Sequence, residues 1–205
     1  MIAELLETAR TNAPMLTMAV LLVGAACTAA SASARVSWVI ATFAAAVASV
    51  LALDMGWRRL MHGARFGDAG MALSLDGIAA FCAPLIAAWL VFVVLSAPSA
   101  MHGANARATP HLLALALCSA AGWIGALLSD GLLGVVLGVQ IGWISAVLIV
   151  AGAGDGNRGS FNGALRMWSA GGAGAAFMLV GAACLAYALG SGEAAAAASA
   201  HVSAP

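Results

Sequence analysis

The sequence predicts an all-α membrane protein, a polytopic bundle of about six transmembrane helices. Hydrophobic residues make up 63% of the 205 residues and charged residues only 8%, whereas about a quarter of the residues in soluble domains are charged. The mean hydropathy is +1.03. The apolar residues also fall into runs of about twenty, the length at which a helix crosses a bilayer. These three observations indicate an integral membrane protein.

Six apolar runs predict the six helices. They cover residues 13–30, 36–53, 75–96, 110–129, 131–152 and 167–190. Residues 31–34, after the first run, resemble a signal-peptide cleavage site. The first ten residues, however, contain Glu4 and Glu7 with a single arginine, unlike the basic start of a signal peptide. We therefore expect the first helix to be retained.

The connections between the runs are short and polar or rich in small residues. The longest, from Asp54 to Leu73, predicts a segment at the membrane surface, because it places arginines beside a tryptophan: Trp57, Arg58, Arg59 and Arg65. Residues 97–109 and 153–165 are rich in Gly, Ser, Ala and Asn, which predicts loops. The domain organisation is therefore one bundle over residues 1–190, followed by a low-complexity tail over 191–205 that we expect to be disordered.

The charge pattern argues against nucleic acid as a partner and does not determine the orientation of the chain in the membrane. The formal net charge is zero, and no basic patch suggests nucleic acid. We expect the lipid bilayer and other membrane proteins as the surroundings. Six helices place four of the eight arginines on each side of the membrane. The positive-inside rule therefore selects neither orientation.

Cysteine and histidine spacing predicts no metal or cofactor bound by this chain. Each cysteine lies in a different apolar run without paired spacing, which is typical of small buried side chains: Cys27, Cys82, Cys118 and Cys184. His62 and His102 fall in loops on opposite sides of the membrane. His111 has no thiol or carboxylate ligand nearby in the sequence, so a zinc site is not expected. We also find no catalytic motif in the sequence.

The candidate functional residues are polar side chains in or beside the apolar runs. Gln140 lies near the middle of the fifth run, where an amide needs a hydrogen-bonding partner. We interpret it as an interhelical hydrogen-bonding group, with participation in a conduction path as the alternative. Arg166 lies near the start of the sixth helix and either extends to the interface or faces inward. Asp76 and Asp130 stand at helix starts, where a carboxylate caps free N–H groups.

Glycine spacing predicts how the fifth helix packs. Gly134, Gly138 and Gly142 recur every four residues on one face, which allows a neighbouring backbone to approach closely. Gln140 projects from the opposite face, on the same side as Trp143. We therefore expect the fifth helix to contact two neighbours. The sixth run carries a similarly thin surface: Gly171, Gly172, Gly174, Ala175 and Ala176.

These residues resemble the antiporter-like membrane subunits of respiratory complex I, NADH-quinone oxidoreductase, and most closely its N-type subunit. That family has an acidic or amide residue at one helix start, an apolar run ending Gly-Leu-Glu-Leu, and then Ala-Leu-Lys before a helix rich in small residues. This chain carries similar motifs in the same order: Leu75-Asp76-Gly77, Ser129-Asp130-Gly131, Gly138-Val139-Gln140 and Ala164-Leu165-Arg166. The resemblance covers about sixty residues as motifs and nearly the whole chain as helix order.

Two departures from the family pattern bear on mechanism. Glutamine stands at 140 where the resemblance places a glutamate, and arginine stands at 166 where it places a lysine. Glutamine does not titrate and arginine stays protonated, so neither relays a proton in the ordinary way. The sequence also ends before the second, inverted half that the family uses to complete its channel.

The resemblance implies a membrane-arm subunit of a proton-translocating, quinone-reducing complex in the bacterial inner membrane. Other membrane-arm subunits would be its partners, and its own role would be structural and non-pumping. The alternative is a stand-alone six-helix protein, either a small carrier or an assembly and scaffold factor. A carrier of polar solutes normally holds acidic groups near the centre of its spans, and the sequence places none there.

Overall fold

Six helices account for nearly all of the described chain. The computed structural model describes residues 12–63, 75–100, 108–153 and 158–189, and these ranges contain no β-strand. The helices are α1 (Ala13–Ala30), α2 (Ala34–His62), α3 (Gly77–Ala100), α4 (Thr109–Leu128), α5 (Leu132–Gly152) and α6 (Arg158–Leu189). Each is long and apolar enough to span a membrane. The predicted all-α bundle of six helices is therefore confirmed. The predicted tail, 191–205, lies outside the described residues.

Helices α1 to α4 form the closely packed part of the bundle, and α5 and α6 extend it on one side. Helix α1 packs against α2 and α4, while α2 and α3 pack against each other and against α4. Helix α5 packs on α4, and α6 packs on α5. Half of the apolar window of α4 is buried, whereas none of the corresponding window of α6 is. The centre of the fold is therefore α4, and α6 is its outermost helix.

Alanine lines the interface between α2 and α3. The buried alanines recur at helical spacing on one face of each helix: Ala41, Ala45, Ala48 and Ala52 on α2, and Ala79, Ala80, Ala83 and Ala87 on α3. Ala44 of α2 instead lies against Gly24 of α1. Large apolar side chains such as Phe43 and Phe92 are exposed instead. Lipid tails are as apolar as leucine, so helices in a membrane gain by close contact between small residues and have little drive to bury large ones.

A glycine of α2 fits against a proline-containing turn of α3. Pro84 has no N–H, so it cannot donate the helical hydrogen bond to the carbonyl of Ala80. A Cβ on Gly56 would collide with that carbonyl oxygen and would lie 2.9 Å from Pro84 Cγ. Glycine at position 56 thus brings the backbone of α2 directly against a carbonyl that lacks its usual donor.

Three helices continue beyond the apolar runs that predicted them, and the third of these, α3, ends at Ala100 instead of residue 96. The loop expected from Asp54 is helical as far as His62, and the loop expected over 153–165 is helical from Arg158. Asp54 and Arg58 form an ion pair of 3.0 Å across one helical turn, which supports this extension. Gly63, with φ of 62°, then ends α2. Hydropathy indicates only the part of a helix that lies in lipid. The helix can continue beyond the lipid where its polar residues are compatible with helical structure.

The cysteine prediction is partly wrong. All four cysteines are free, but Cys27 and Cys184 are exposed on the bundle surface, and Cys82 and Cys118 are half-buried. A thiol is a small apolar group, and in a membrane protein such a group has no strong preference for the interior over the lipid-facing surface.

Candidate functional site

The glycine face of α5 crosses α4 at close range. A Cβ on Gly138 would lie 2.6 Å from the backbone nitrogen of Ala126 and 2.7 Å from the carbonyl oxygen of Gly122. Gly122 faces back against Gly138 and Gly142. Across the same crossing, the Ser119 hydroxyl donates a hydrogen bond of 3.0 Å to the Gly142 carbonyl. The predicted role in close helix packing is confirmed for Gly138 and Gly142, with α4 as the neighbour, whereas Gly134 faces Ser129 in the link between the two helices.

A second side of α5 packs against α6. The indole of Trp143 lies directly over Gly171, where any Cβ would collide with the ring. The Trp143 indole nitrogen is buried and has no hydrogen-bond partner among the described residues. Gly172 and Gly174, in contrast, face open space. Only one glycine of the thin surface predicted on α6 is therefore used in the contact with α5.

Gln140 lies between the α6 side of α5 and an exposed strip. On one side of Gln140, Val136 is buried and Trp143 is half-buried. On the other side, Leu137 and Ile144 are exposed. Gln140 itself is half-buried. None of the side-chain hydrogen bonds found among the described residues involves its amide. The interhelical hydrogen bond expected of Gln140 is thus not formed within the described part of this chain.

Arg166 lies on the surface of α6, eight residues beyond the first residue of that helix. Its side chain is exposed, and its carbonyl accepts a hydrogen bond of 2.9 Å from the Ser169 hydroxyl. Gln140 is half-buried on α5, and no side-chain hydrogen bond found among the described residues joins it to Arg166. The structure does not bring these two candidates together.

Asp76 caps α3 as predicted. Its carboxylate accepts a hydrogen bond of 2.6 Å from the Ala79 N–H, and its carbonyl accepts one of 2.9 Å from the Ala80 N–H. Asp76 immediately precedes Gly77, the first residue of the helix. This arrangement satisfies a donor that the first turn would otherwise leave free. It gives Asp76 a structural role.

Replacing Asp76 with alanine should lower the free energy of unfolding by about 1 kcal/mol, because the Ala79 N–H loses its acceptor. Asparagine keeps an acceptor oxygen, so Asp76→Asn should retain most of the stability. The measurement is the unfolding midpoint of the purified protein in mixed micelles with increasing dodecyl sulfate, followed by far-ultraviolet circular dichroism. Equal losses for the alanine and asparagine variants would contradict a capping role.

Asp130 lies one residue before the N-cap position of α5. That position is Gly131, and the helix begins at Leu132. Asp130 is exposed in the three-residue link between α4 and α5. Asp130 adjoins the start of α5, whereas the chain enters α6 from the other end of α5. The cap expected at Asp130 stays a prediction, and the observed N-cap position is one residue later.

The histidines do not form a metal site in the described structure. Within the four described ranges, no group of three or more His, Cys, Asp or Glu side chains is placed to hold a metal ion. His62 ends α2 and His111 lies in the first turn of α4, at opposite ends of the bundle. His102 lies outside the described residues.

An apolar groove of about 780 Å³ lies on the bundle surface where α3 meets α4. It is lined by Leu85, Ile86, Ala88, Trp89, Phe92 and Trp123. Trp89 and Phe92 form a tilted aromatic pair with ring centroids 5.7 Å apart. No polar atom is exposed in the groove. It therefore offers no hydrogen bond that could orient a ligand, whereas small-molecule sites usually combine apolar walls with a few polar groups.

The tryptophans serve packing as well as anchoring. Trp57 is exposed near the polar end of α2, where an indole suits the membrane interface. Trp38 instead donates a hydrogen bond of 2.9 Å from its indole nitrogen to the Val94 carbonyl and so joins α2 to α3. Sequence reasoning alone did not identify this contact, since it links residues 56 positions apart.

Comparison with known proteins adds no family assignment. No protein-family model matches the chain, and a search of curated proteins gives no significant match.

Proposed function

We propose that this chain is a structural, non-pumping subunit of a larger membrane complex, of the type of the membrane arm of NADH-quinone oxidoreductase. The main support for the proposal is the limited packing of α6. This helix packs on α5 alone among its major contacts, and none of its apolar window is buried. A helix with one neighbour and open small-residue positions is suited to receive helices from other subunits.

The motifs around Gln140 and Arg166 support the choice of complex. Gly138-Val139-Gln140 and Ala164-Leu165-Arg166 stand in the order and at the spacing of the antiporter-like subunits that they resemble. The tight crossing of Gly138 with Gly122 gives the first motif a packing function that does not depend on a titrating group. Partners in the bacterial inner membrane would supply the electron transfer and proton exchange.

The side chains favour a structural role over transport by this chain alone. Gln140 does not titrate, Arg166 stays protonated, and no side-chain hydrogen bond found among the described residues joins them. The one acidic residue within the described helices, Asp54, is ion-paired with Arg58 near the polar end of α2. A small carrier would require ionisable groups at the centre of the spans. A stand-alone scaffold protein remains the alternative function.

Affinity purification from native membranes tests this proposal. With a tag on residues 191–205 and mild detergent, we expect co-purification with other membrane-arm subunits of a quinone-reducing complex. The variant Gly172→Leu fills an open position on α6 and should reduce this co-purification without unfolding the isolated chain. The matched control is Leu85→Ala, on the exposed face of α3, which should leave it unchanged. Recovery of the chain without such subunits, either as a monomer or as a homo-oligomer, would favour the stand-alone scaffold.

A further inference from the structure

The exposed side of α5 carries a strip of large side chains with one polar member. We define the α5 strip as Leu133, Leu137, Gln140, Ile144 and Leu148. Its four apolar members are between 38% and 65% exposed. Successive members are separated by four, three, four and four residues, a spacing typical of the contact line between two packed helices.

The other sides of α5 already have neighbours. Gly138 and Gly142 lie against α4, and Trp143 lies against α6. The α5 strip faces away from both contacts. A further helix could therefore pack along it without displacing any interaction described above.

The Gln140 amide is incompletely satisfied in a single copy. A glutamine side chain offers two N–H donors and one acceptor oxygen, and none of these takes part in a hydrogen bond among the described residues. Gln140 is the ninth of the 21 residues of α5, close to the middle of the span. Water is absent at that depth, so an unpaired amide there is unfavourable. The strip thus combines an apolar contact line with an unmet requirement for hydrogen bonding.

We propose that the α5 strip is a homodimer interface in which Gln140 of one copy hydrogen-bonds Gln140 of a second copy. Two copies inserted in the same direction are related by a twofold axis along the membrane normal, so equivalent residues lie at the same depth. An amide is both donor and acceptor and is therefore complementary to itself. A different protein would need its own polar group at that depth. One polar residue in an apolar contact line also fixes register and copy number.

This interface is additional to the proposed role as a subunit, and the two use different surfaces. The contacts with other subunits are assigned to α6, whereas the dimer uses α5. Co-purification tests the first and cross-linking between copies tests the second. Either proposal can therefore fail while the other stands.

Disulfide cross-linking of the full-length chain tests the dimer. The four native cysteines are first replaced by alanine. A single cysteine is then introduced by Leu137→Cys or Ile144→Cys. Each protein is reconstituted in phosphatidylcholine vesicles at a low protein-to-lipid ratio. Mild oxidation should cross-link these two variants into dimers. Leu85→Cys, which is 62% exposed on α3, is the matched control and should stay monomeric. Equal cross-linking at positions 85 and 137 would overturn the proposal.

The amide is tested by substituting Gln140 in the Leu137→Cys background. Gln140→Leu should weaken dimerisation about tenfold, and Gln140→Asn should retain most of it because it keeps the amide. Circular dichroism should show unchanged helix content in both variants, since Gln140 makes no hydrogen bond to the described residues. Undiminished dimerisation in Gln140→Leu would contradict the role of the amide. In native membranes, cross-linking of Leu137→Cys to a different protein in place of a second copy would contradict the homodimer.

Discussion

Replacing Gly138 with alanine should lower the free energy of unfolding by about 1–3 kcal/mol, because the added methyl group overpacks the crossing of α4 and α5. The new Cβ would lie 2.6 Å from the Ala126 backbone nitrogen and 2.7 Å from the Gly122 carbonyl oxygen. Both of these atoms belong to the backbone of a helix and cannot rotate away. The helices must therefore separate, which also lengthens the hydrogen bond from Ser119 to the Gly142 carbonyl.

The measurement is the unfolding midpoint in mixed micelles, with Gly172→Ala as the matched control. Gly172 is also a helical glycine, but a Cβ there meets nothing within 4 Å. Because alanine favours the helix over glycine by about 0.5–1 kcal/mol, the control variant should be as stable as the original chain or slightly more stable. The two glycine-to-alanine changes should thus have opposite effects. A loss of similar size in both would show that the α4–α5 crossing is not specially constrained.

Shortening Leu117 to alanine should lower the free energy of unfolding by about 2 kcal/mol. Leu117 is fully buried in the core formed by α1 to α4, and its Cδ1 lies 3.7 Å from the place a Cβ on Gly24 would occupy. Its removal leaves a cavity whose lining atoms lose their dispersion contacts. The effect is smaller than in many water-soluble cores, because helices separated in lipid still keep their side chains in an apolar medium.

The control for this cavity is Leu85→Ala. Leu85 is 62% exposed on α3, so lipid can fill the space that its side chain leaves. We expect a change within about 0.5 kcal/mol. Dodecyl sulfate unfolding of both variants, each with the same tag and in the same micelles, measures the difference. If Leu85→Ala were as destabilised as Leu117→Ala, the assignment of α1 to α4 as the packed core would be wrong.

The positions of Gln140 and Arg166 change how the resemblance to antiporter-like subunits is applied. Sequence spacing alone allowed them to be neighbours in one polar path. In the fold, Arg166 is exposed on α6, and Gln140 is the half-buried polar member of the α5 strip. The proposals above therefore assign Gln140 to contact with a second copy of the chain, and they assign no proton-relay role to Arg166.

Local patterns in the sequence were sufficient to predict the class of protein, the number of helices, the cap at Asp76 and the close packing of the α5 glycines. Each of these depends on residues near one another in the chain: a run long enough to cross lipid, a carboxylate three residues before a free N–H, and glycines one turn apart. The predicted start of α5 at Gly131 was one residue before the observed start at Leu132, because helix boundaries depend on backbone conformation as well as on composition.

Only the tertiary structure decided which faces meet. The sequence contains glycines on both α5 and α6, but Gly138 is enclosed by α4 whereas Gly172 faces open space. Similarly, alanines fill the contact between α2 and α3 while phenylalanines are exposed. In a water-soluble protein, hydropathy would distinguish the buried face of a helix from its exposed face. In a bilayer, lipid and protein interior are almost equally apolar, so the buried face is chosen by the fit between helix surfaces, which involves residues far apart in the sequence.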